Sequence, residues 1–391
     1  MSINLDFNRG PDGSGGMGFN IELLIAERRR ADEAEIRVRA EEARRYFNNL
    51  PNFRYEDLVA SGAYGVALRV RHTSTTGRSR KLIVKRARSN RLARELRDEI
   101  DVMSKLNGSA HIASVIAYRD DLVDEHQQRR FKFLRRVIKR FRRKRPSNFL
   151  AGLTGPTLIL EYLPNGTVNQ FRVKVRNKAI EDGSVAIPNR ILWSIFLCLV
   201  RACVAMNHPP NQPPGTAPEL EEIVEIGPVP YANYYHGDMH PGNILFGATG
   251  DFPEHAVIPP AKLIDFGLAI QDATSVMRNI MDISKNVMWL ILLRLSPLGR
   301  LPIDHQGVYT LGLPLLAPQF LEQHPTLDLD LRDLLIRCLA ADPMQRPSLP
   351  ELLQAAKSAV RRKDASFYGP AAPQESDGAI RRFVQEYIYD A

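Results

Sequence analysis

The spacing of apolar residues changes along this chain, and the change limits the folds that it can adopt. Residues 53–87 contain short alternating runs separated by turn residues at 62–65 and 75–79, which predicts three strands. From about Asn189 onward, apolar residues recur mostly at helical spacing. A β-rich part followed by a helix-rich part predicts an α+β protein in two lobes. A chain of 391 residues is also too long for one compact core.

Further elements follow from the same periodicities. A helix is predicted after residue 91, because five apolar side chains share one face at 3.6-residue spacing: Leu92, Leu96, Ile100, Met103 and Leu106. HIASVIAY (111–118), TLILEYL (157–163), ILF (244–246) and AKLIDFGLA (261–269) contain further predicted strands. The proline-rich residues 207–230 predict an inserted loop.

The N-terminal region is predicted to have two parts. Residues 1–20 are glycine-rich and polar, which is typical of disorder. Residues 21–50 predict a charged helix, supported by acid–arginine pairs four residues apart such as Glu33 with Arg37 and Glu41 with Arg45. This helix could dock on a partner or form a coiled coil. A solvated helix lying against the folded domain is favoured, because the chain shows no sustained heptad.

Composition predicts an intracellular protein, cytoplasmic, nuclear or both. Apolar residues make up 44% of the chain and aromatic residues 8%, which are globular values. The three cysteines (Cys198, Cys203 and Cys338) lie in apolar stretches without metal-ligand spacing, so reduced core thiols are expected instead of a disulfide framework or a zinc site. The N-terminus does not resemble a secretory signal. The longest apolar stretch, residues 191–200, is too short to cross a bilayer and predicts a buried helix.

The net charge of +9 comes from one segment. Residues 129–145 (RRFKFLRRVIKRFRRKR) contain eleven Lys and Arg and no acid, so the remainder of the chain sums to −2. Aromatic and aliphatic side chains recur at helical spacing within this basic tract. It could bind a polyanion such as nucleic acid or an anionic membrane, act as a nuclear-localisation element, or be a solvated insertion between two strands.

Several residues have the chemistry of a phosphate site. The glycines of SGAYG, Gly62 and Gly65, let backbone N–H groups approach a polyphosphate without a Cβ in the way. Two glycines in a turn are weak evidence alone, since ordinary hairpins contain them too. Lys85 ends the run LIVK, and Glu99 lies at the edge of the buried face of the predicted helix. A Lys85–Glu99 pair could hold the ammonium group toward phosphate oxygens.

The stretch YYHGDMHPGNILFG (234–247) places His236, Asp238 and Asn243 on a loop ahead of a strand. Asp238 could orient a hydroxyl nucleophile and accept its proton, and Asn243 offers an amide oxygen to a metal ion. Asp265 follows in IDFG, and its carboxylate suits a hard divalent cation that bridges phosphates.

In order and in role, these residues resemble the motifs of the protein-kinase superfamily. VASGAYGVA resembles the glycine-rich loop, LIVK the strand with the lysine, RDEIDVMSKL the regulatory helix, and TLILEYLPNG the hinge. HGDMHPGN is similar to the catalytic loop and LIDFGLA to the metal-binding motif. MRNIMDISKNVMWLILLRL resembles the central helix with its bracing aspartate, Asp282, and DPMQRPS the late motif with its arginine, Arg346. Six motifs in the same order are far more specific than any one.

The resemblance implies a bilobal fold that binds ATP and Mg²⁺. It implies catalytic or phosphate-positioning roles for Asp238, Lys85, Glu99, His240 and Asn243, and metal binding by Asn243 and Asp265. Nucleotide contacts are implied for Val59, Gly62, Gly65, Ala67, Ile83, Lys85, Leu160, Glu161, Leu163, Leu245 and Asp265. Among these, Leu160 would be the gatekeeper, and the backbone of Glu161 and Leu163 would bond the adenine. The implied domains are an N-lobe at 53–163 with a basic insertion at 124–148, a C-lobe at 164–361, and a C-terminal tail at 362–391.

The chain departs from the family pattern at four places. Ala60 replaces the first glycine of the phosphate loop. Gly237 stands where many kinases have an arginine, which argues against control by a phosphorylated activation loop. His240 stands where Ser/Thr kinases have a lysine, and HGDxHPGN is also the form of aminoglycoside and choline kinases. Between Asp265 and Asp282 there is no Ala-Pro-Glu motif and little room for a peptide-docking loop.

These observations favour an ATP-dependent protein kinase acting on Ser/Thr hydroxyls of a protein substrate. One alternative is a kinase for a small hydroxylated metabolite, because of the catalytic-loop sequence and the short segment after Asp265. The other is a pseudokinase scaffold, against which the complete catalytic set argues.

Overall fold

A computed structural model describes residues 21–62, 65–89, 92–120, 148–183, 185–223, 232–299 and 301–390. The protein is mixed α+β, as its apolar periodicity predicts. The predicted disorder of residues 1–20 and the basic tract at 129–145 both lie outside the described residues. The polyanion contact expected of that tract therefore stays a prediction.

The first half of the chain forms one antiparallel sheet. Its strands are β1 (Phe53–Ser61), β2 (Gly65–Thr73), β3 (Ser79–Ala87), β4 (Val115–Arg119) and β5 (Thr157–Glu161), in the order β1-β2-β3-β5-β4. The three-strand prediction for residues 53–87 is confirmed. Strand β4 begins later than HIASVIAY predicts, because His111 and Ile112 lie in the connection ahead of it.

Two helices pack on opposite faces of this sheet. Helix α1 (Ile21–Asn48) buries Ala43 and Phe47 against alternate side chains of β2 and β3, in a small separate core. The structure therefore shows the predicted charged helix lying against the folded domain. Helix α2 (Ala93–Leu106) lies on the other face and buries the predicted apolar stripe, from Leu96 to Leu106.

The second half of the chain is mainly helical and contains short paired strands. The longer helices are α3 (Val168–Asp182), α4 (Asn189–Asn207), α5 (Ser275–Ile291), α8 (Leu329–Cys338) and α9 (Leu349–Arg362). Between them lie α6 (Leu313–Leu316) and α7 (Phe320–Gln323), and after them α10 (Ala372–Glu375) and α11 (Asp377–Val384). Strand pairs are β6 (Tyr234–Tyr235) with β9 (Ile270–Gln271), β7 (Ile244–Phe246) with β8 (Ala261–Leu263), and β10 (Ile303–His305) with β11 (Val308–Thr310).

Helix α4 is the centre of the main core. By length and composition it could cross a membrane, but 94% of its most apolar stretch is buried inside the fold, as in the core helix of a globular protein. The three cysteines are free and buried, two of them on this helix. The described part of the proline-rich insertion after α4, residues 208–223, has no helix or strand of its own, as predicted for a loop.

The C-terminal residues join the same core. Ile380, Val384 and Ile388 are fully buried among the apolar residues that surround α4. The carboxylate of Glu375, which is buried, accepts hydrogen bonds from the backbone N–H groups of Asn189 and Arg190 at the start of α4.

Candidate active site

A largely buried lysine joins the sheet to the helical part of the protein. Nζ of Lys85, on β3, lies 2.6 Å from Oε1 of Glu99 on α2 and 3.0 Å from Oδ1 of Asp265, which follows β8. Strand alternation places Lys85 on the face of the sheet opposite α1, because its neighbours Val84 and Arg86 face α1. The predicted Lys85–Glu99 pair is therefore present, and Asp265 shares the same ammonium group.

The electrostatics of this triad favour the charged forms of Lys85 and Asp265. Burial alone would lower the pKa of Lys85, but the carboxylates of Glu99 and Asp265 outweigh it and raise that pKa above its ordinary value. Burial would likewise raise the pKa of Asp265, and the nearby Lys85 ammonium holds it below its usual range. Asp265 also adopts a left-handed backbone with φ of 66°, which aspartate tolerates better than most residues.

The loop from His236 to Asn243 forms around hydrogen bonds of its own. Nδ2 of Asn243 donates to both the backbone oxygen and Oδ2 of Asp238, each at 3.0 Å. Asn243 is buried, whereas the Asp238 side chain is 46% exposed. The loop therefore presents the Asp238 carboxylate to solvent and leaves Oδ1 of Asn243 as the atom that could coordinate a cation.

His236 supports this loop from below. Its Nε2 donates to the backbone oxygen of Ile264 at 3.0 Å, and its Nδ1 accepts from the Asp238 N–H at 3.2 Å. Burial lowers the pKa of His236, so the ring is neutral and both of its nitrogens are used. It connects Asp238 to the residue before Asp265, and its role is to position them.

His240 lies at the rim of the same loop. Its Nε2 is 3.7 Å from Oδ2 of Asp238, and its Nδ1 accepts a hydrogen bond from the Gly242 N–H at 3.0 Å. The ring is about half exposed. It is therefore close enough to Asp238 that a molecule bound there would contact it, and its catalytic role stays a prediction.

Helix α5 braces the loop through three polar side chains on one face. Asn279 accepts from the His236 N–H and donates to the Tyr234 oxygen, and Asn286 donates to the Met239 oxygen. Asp282, the predicted brace, accepts from the Tyr235 hydroxyl at 3.0 Å. The bracing role is thus divided among these three residues. The sequence reasoning missed Asn279 and Asn286, although their spacing of three and four residues around Asp282 on an apolar helix was a usable signal.

The segment after Asp265 is short and directly paired. Residues 270–271 form β9 against β6, and α5 starts at Ser275.

Arg346, which lacks its expected glutamate, instead donates to the backbone oxygens of Ala340 and Met277 at 2.9 and 2.7 Å. A buried guanidinium therefore holds the beginning of α5 through backbone oxygens.

The predicted nucleotide contacts lie in several parts of the fold. Ala67 is paired with Lys85, and Ile83 is paired with Leu160, so these four lie together on adjoining strands of the sheet. Leu245 lies beside residues 166–167. It forms a β-bridge with Thr167, and the next residue, Phe246, donates its N–H to the Gly166 oxygen. Val59 lies at a bulge of β1 and is half exposed, and Leu163 is buried.

Glu161, which the resemblance places at the hinge, is held by three hydrogen bonds. Its N–H donates to the Ser114 oxygen at 3.0 Å, so this N–H is already used within the protein. Its carboxylate accepts from the Ser114 N–H and from Nζ of Lys262 at 2.8 Å. Lys262, a buried cation on β8, was also missed, although a charged residue inside the strand-like run AKLIDFG is unusual.

The two glycines of the first turn have different reasons to be glycine. A Cβ on Gly65 would lie 2.7 Å from the backbone oxygen of Arg86, so Gly65 is required by the close approach of β2 to β3. A Cβ on Gly62, in contrast, would have open space around it. Of the two, only Gly62 has the free space expected for contact with a ligand, and Ala63 and Tyr64 between them lie outside the described residues.

Comparison with known proteins adds no relative to this geometry. The chain matches no protein-family description, and no curated protein is significantly similar to it. A function for this chain therefore has to be inferred from its own residues and their distances.

Proposed function

We propose that this chain is an ATP- and Mg²⁺-dependent phosphotransferase with a bilobal, protein-kinase-like fold, acting on Ser/Thr hydroxyls of a protein substrate. The observation that carries the proposal is the position of Lys85 between Glu99 and Asp265, 2.6 and 3.0 Å from their carboxylates. Three segments distant in sequence converge there, next to the Asp238–Asn243 loop. We also propose an intracellular location, cytoplasmic, nuclear or both, which the three free, buried thiols support.

The residues present suit the two groups that such an enzyme needs. The Asp265 carboxylate and the Asn243 amide oxygen are hard oxygen ligands of the kind that Mg²⁺ prefers. Bound there, the cation would neutralise charge on the phosphates. The Asp265 side chain is 49% exposed although it contacts Lys85, so it has a free edge toward solvent.

In this proposal, each side chain has one task in the transfer. Lys85, oriented by Glu99, holds phosphate oxygens. Asp238 orients the acceptor hydroxyl and takes its proton as the hydroxyl oxygen attacks the γ-phosphorus and the bond to ADP breaks. Phosphoryl transfer is accelerated mainly by positioning and by charge stabilisation, and both depend on the distances fixed by His236 and Asn243.

A second candidate is a kinase for a small hydroxylated metabolite. The observation that favours it is the short segment from residue 266 to 274, which pairs as β9 and enters α5 at Ser275. Such a segment offers little surface on which an extended peptide could dock.

One experiment distinguishes these readings. The full chain is incubated with ATP labelled at the γ-phosphate and Mg²⁺, first alone, then with generic protein substrates, then with a panel of small alcohols. Label on protein supports the first proposal, and label only on a small molecule supports the second. Asp238→Asn is the test variant, and Asp251→Asn, an exposed aspartate on a nearby loop, is the matched control. If the wild type transfers phosphate no faster than Asp238→Asn, both enzyme proposals fail and the pseudokinase scaffold remains.

A further inference from the structure

A second cluster of reactive side chains lies behind the strand that leads to Asp265. His111 precedes β4, Cys198 is on α4, and His255 follows β7, so three distant segments meet there. The ligand atoms of these three residues lie within 4.8 Å of one another, and all three side chains are buried. The backbone of His111 accepts a hydrogen bond from Leu263 of β8 at 2.9 Å. The cluster is therefore attached to the strand that positions the candidate active site.

The arrangement of the atoms is close to that of a metal site. Nε2 of His111 and Nε2 of His255 face each other at 2.9 Å. Sγ of Cys198 accepts a hydrogen bond from the Ala261 N–H at 3.4 Å, a contact that stabilises a thiolate. Around a tetrahedral Zn²⁺, nitrogen and sulfur ligands lie about 3.3–3.8 Å apart, given Zn–N and Zn–S bonds of about 2.0–2.3 Å. The two rings need to separate by only a few tenths of an ångström to admit the ion.

Glu221 holds His111 in the orientation that such a site requires. One carboxylate oxygen lies 2.6 Å from Nδ1 of His111, and the other accepts from the His111 N–H at 2.8 Å. Histidines that bind metals generally donate their second N–H to a carboxylate or a carbonyl in this way. Without an ion, one shared proton must occupy the space between the two Nε2 atoms.

Glu254 lies beside His255, at the edge of the cluster. Its Oε1 lies 3.5 Å from Nε2 of His255, and this buried oxygen has no hydrogen-bond partner among the described residues. Its other oxygen is bound by Arg201 at 2.8 Å. A buried acceptor with no donor is costly unless something else satisfies it.

A cavity of about 430 Å³ lies beside the cluster. Glu254 lines its wall, together with Leu220 from the proline-rich insertion and Ser194, one turn before Cys198 on α4.

We propose that His111, His255 and Cys198 bind one Zn²⁺ as a structural site, with Glu254 beside His255 as the candidate for the fourth ligand and Glu221 as the supporting carboxylate. Two nitrogens, one sulfur and one oxygen form a ligand set that zinc accepts. Binding displaces the proton shared by the histidines and the thiol proton of Cys198 into solvent. The site would tie the described part of the proline-rich insertion to α4 and β8. Cysteine spacing could not predict it, because a single cysteine is combined with two histidines from other segments.

The test is the metal content of the full chain, purified without a histidine tag and without chelator. The expected result is about one Zn²⁺ per chain, a lower melting temperature after removal by chelation, and recovery on adding Zn²⁺. Co²⁺ added to the metal-free chain is expected to give the near-ultraviolet charge-transfer absorption of a cobalt–thiolate bond.

Variants locate the ion. Cys198→Ser and His255→Gln are expected to lose it, whereas Cys203→Ser, another buried cysteine on α4, is expected to keep it. Wild-type chain that contains no metal, and binds neither Zn²⁺ nor Co²⁺ after chelation, would overturn the proposal. So would an ion retained in both Cys198→Ser and His255→Gln. If a variant does not fold, the wild-type metal content still decides, and none of these readouts depends on phosphoryl transfer.

Discussion

Gly237 lies so close to Leu268 that a Cβ on Gly237 would be 2.3 Å from the Leu268 backbone oxygen. Its φ of 80° is also in the left-handed region that favours glycine. The residue before Asp238 is therefore packed against the segment that follows Asp265. An arginine at this position, as in many kinases, could not be accommodated without moving one of the two loops. Gly237 is thus explained by local geometry.

Replacing Gly237 by alanine is expected to destabilise the protein and displace Asp238. The left-handed backbone alone costs a non-glycine residue about 1–2 kcal/mol, and the collision with Leu268 adds to it. Gly250→Ala is the matched control, since Gly250 has φ of 106° but open space around its Cβ position. Chemical denaturation of both variants measures the difference. Equal losses of unfolding free energy would show that the contact with Leu268 costs nothing.

Lys85→Met is expected to abolish phosphoryl transfer and lower the free energy of unfolding. The main cost comes from Glu99, which is buried and loses its partner, and breaking such a pair costs about 3–5 kcal/mol. The double variant Lys85→Met/Glu99→Met removes both charges and is expected to be more stable than Lys85→Met, while still inactive. Lys105→Met, which breaks an exposed pair with Asp101, is the control and should cost at most about 1 kcal/mol.

Denaturation curves of the wild type, Lys85→Met, Glu99→Met and the double variant form a complete cycle. Losses that simply add would contradict a direct Lys85–Glu99 interaction. ATP affinity, measured by calorimetry on the same proteins, separates loss of the site from loss of the fold.

Asn279→Ala is expected to loosen the loop from His236 to Asn243. The substitution leaves the His236 N–H and the Tyr234 oxygen without partners in a buried position, which costs at least ~2 kcal/mol in unfolding free energy. Ser284→Ala is the control on the same helix, because its hydroxyl donates to the Ile280 oxygen one turn before it and not to the loop from His236 to Asn243. Thermal melting compares the two, and transfer activity should fall in Asn279→Ala alone. A stable, fully active Asn279→Ala would refute the bracing role.

Cys338 gives a prediction of pH dependence. Burial raises the pKa of its thiol from 9.0 to about 12, so the folded protein keeps a proton that the unfolded chain releases above pH 9. Between these two values, stability therefore falls as pH rises, by about 1.4 kcal/mol per pH unit for this group.

The check compares the wild type with Cys338→Ala in denaturant at pH 7.5 and at pH 10.5. The wild type is expected to be the more stable at pH 7.5, and its advantage should shrink at the higher pH. A constant difference between the two proteins across this range would show that the thiol titrates alike in the folded and unfolded states.

Local patterns in the sequence predicted the elements of this fold well. The alternating runs of residues 53–87 and the stripe from Leu96 to Leu106 depend on residues close in sequence, and both appear as expected. The ordered motifs also named Lys85, Glu99 and Asp265, which the structure brings within hydrogen-bonding distance.

Contacts between distant segments were much harder to predict. Lys262 contacts Glu161 across 101 residues, and His111 contacts His255 across 144. No periodicity records such pairs, because they depend on how whole elements pack. Gly65 shows a related limit, since the glycine suggested a phosphate contact and its close neighbour is the backbone of Arg86.

The resemblance to kinases begins near residue 53, but the support for Lys85 begins earlier, in α1. Arg86, the next residue on β3, faces away from the candidate site, where its guanidinium bonds Glu42 of α1 and the Thr154 oxygen. Phe47 and Ala43 complete the apolar layer behind the same strand. A truncation at the start of the recognisable motifs would therefore expose the back of the sheet and release the strand that carries the lysine. The smallest unit expected to remain folded and bind nucleotide includes helix α1.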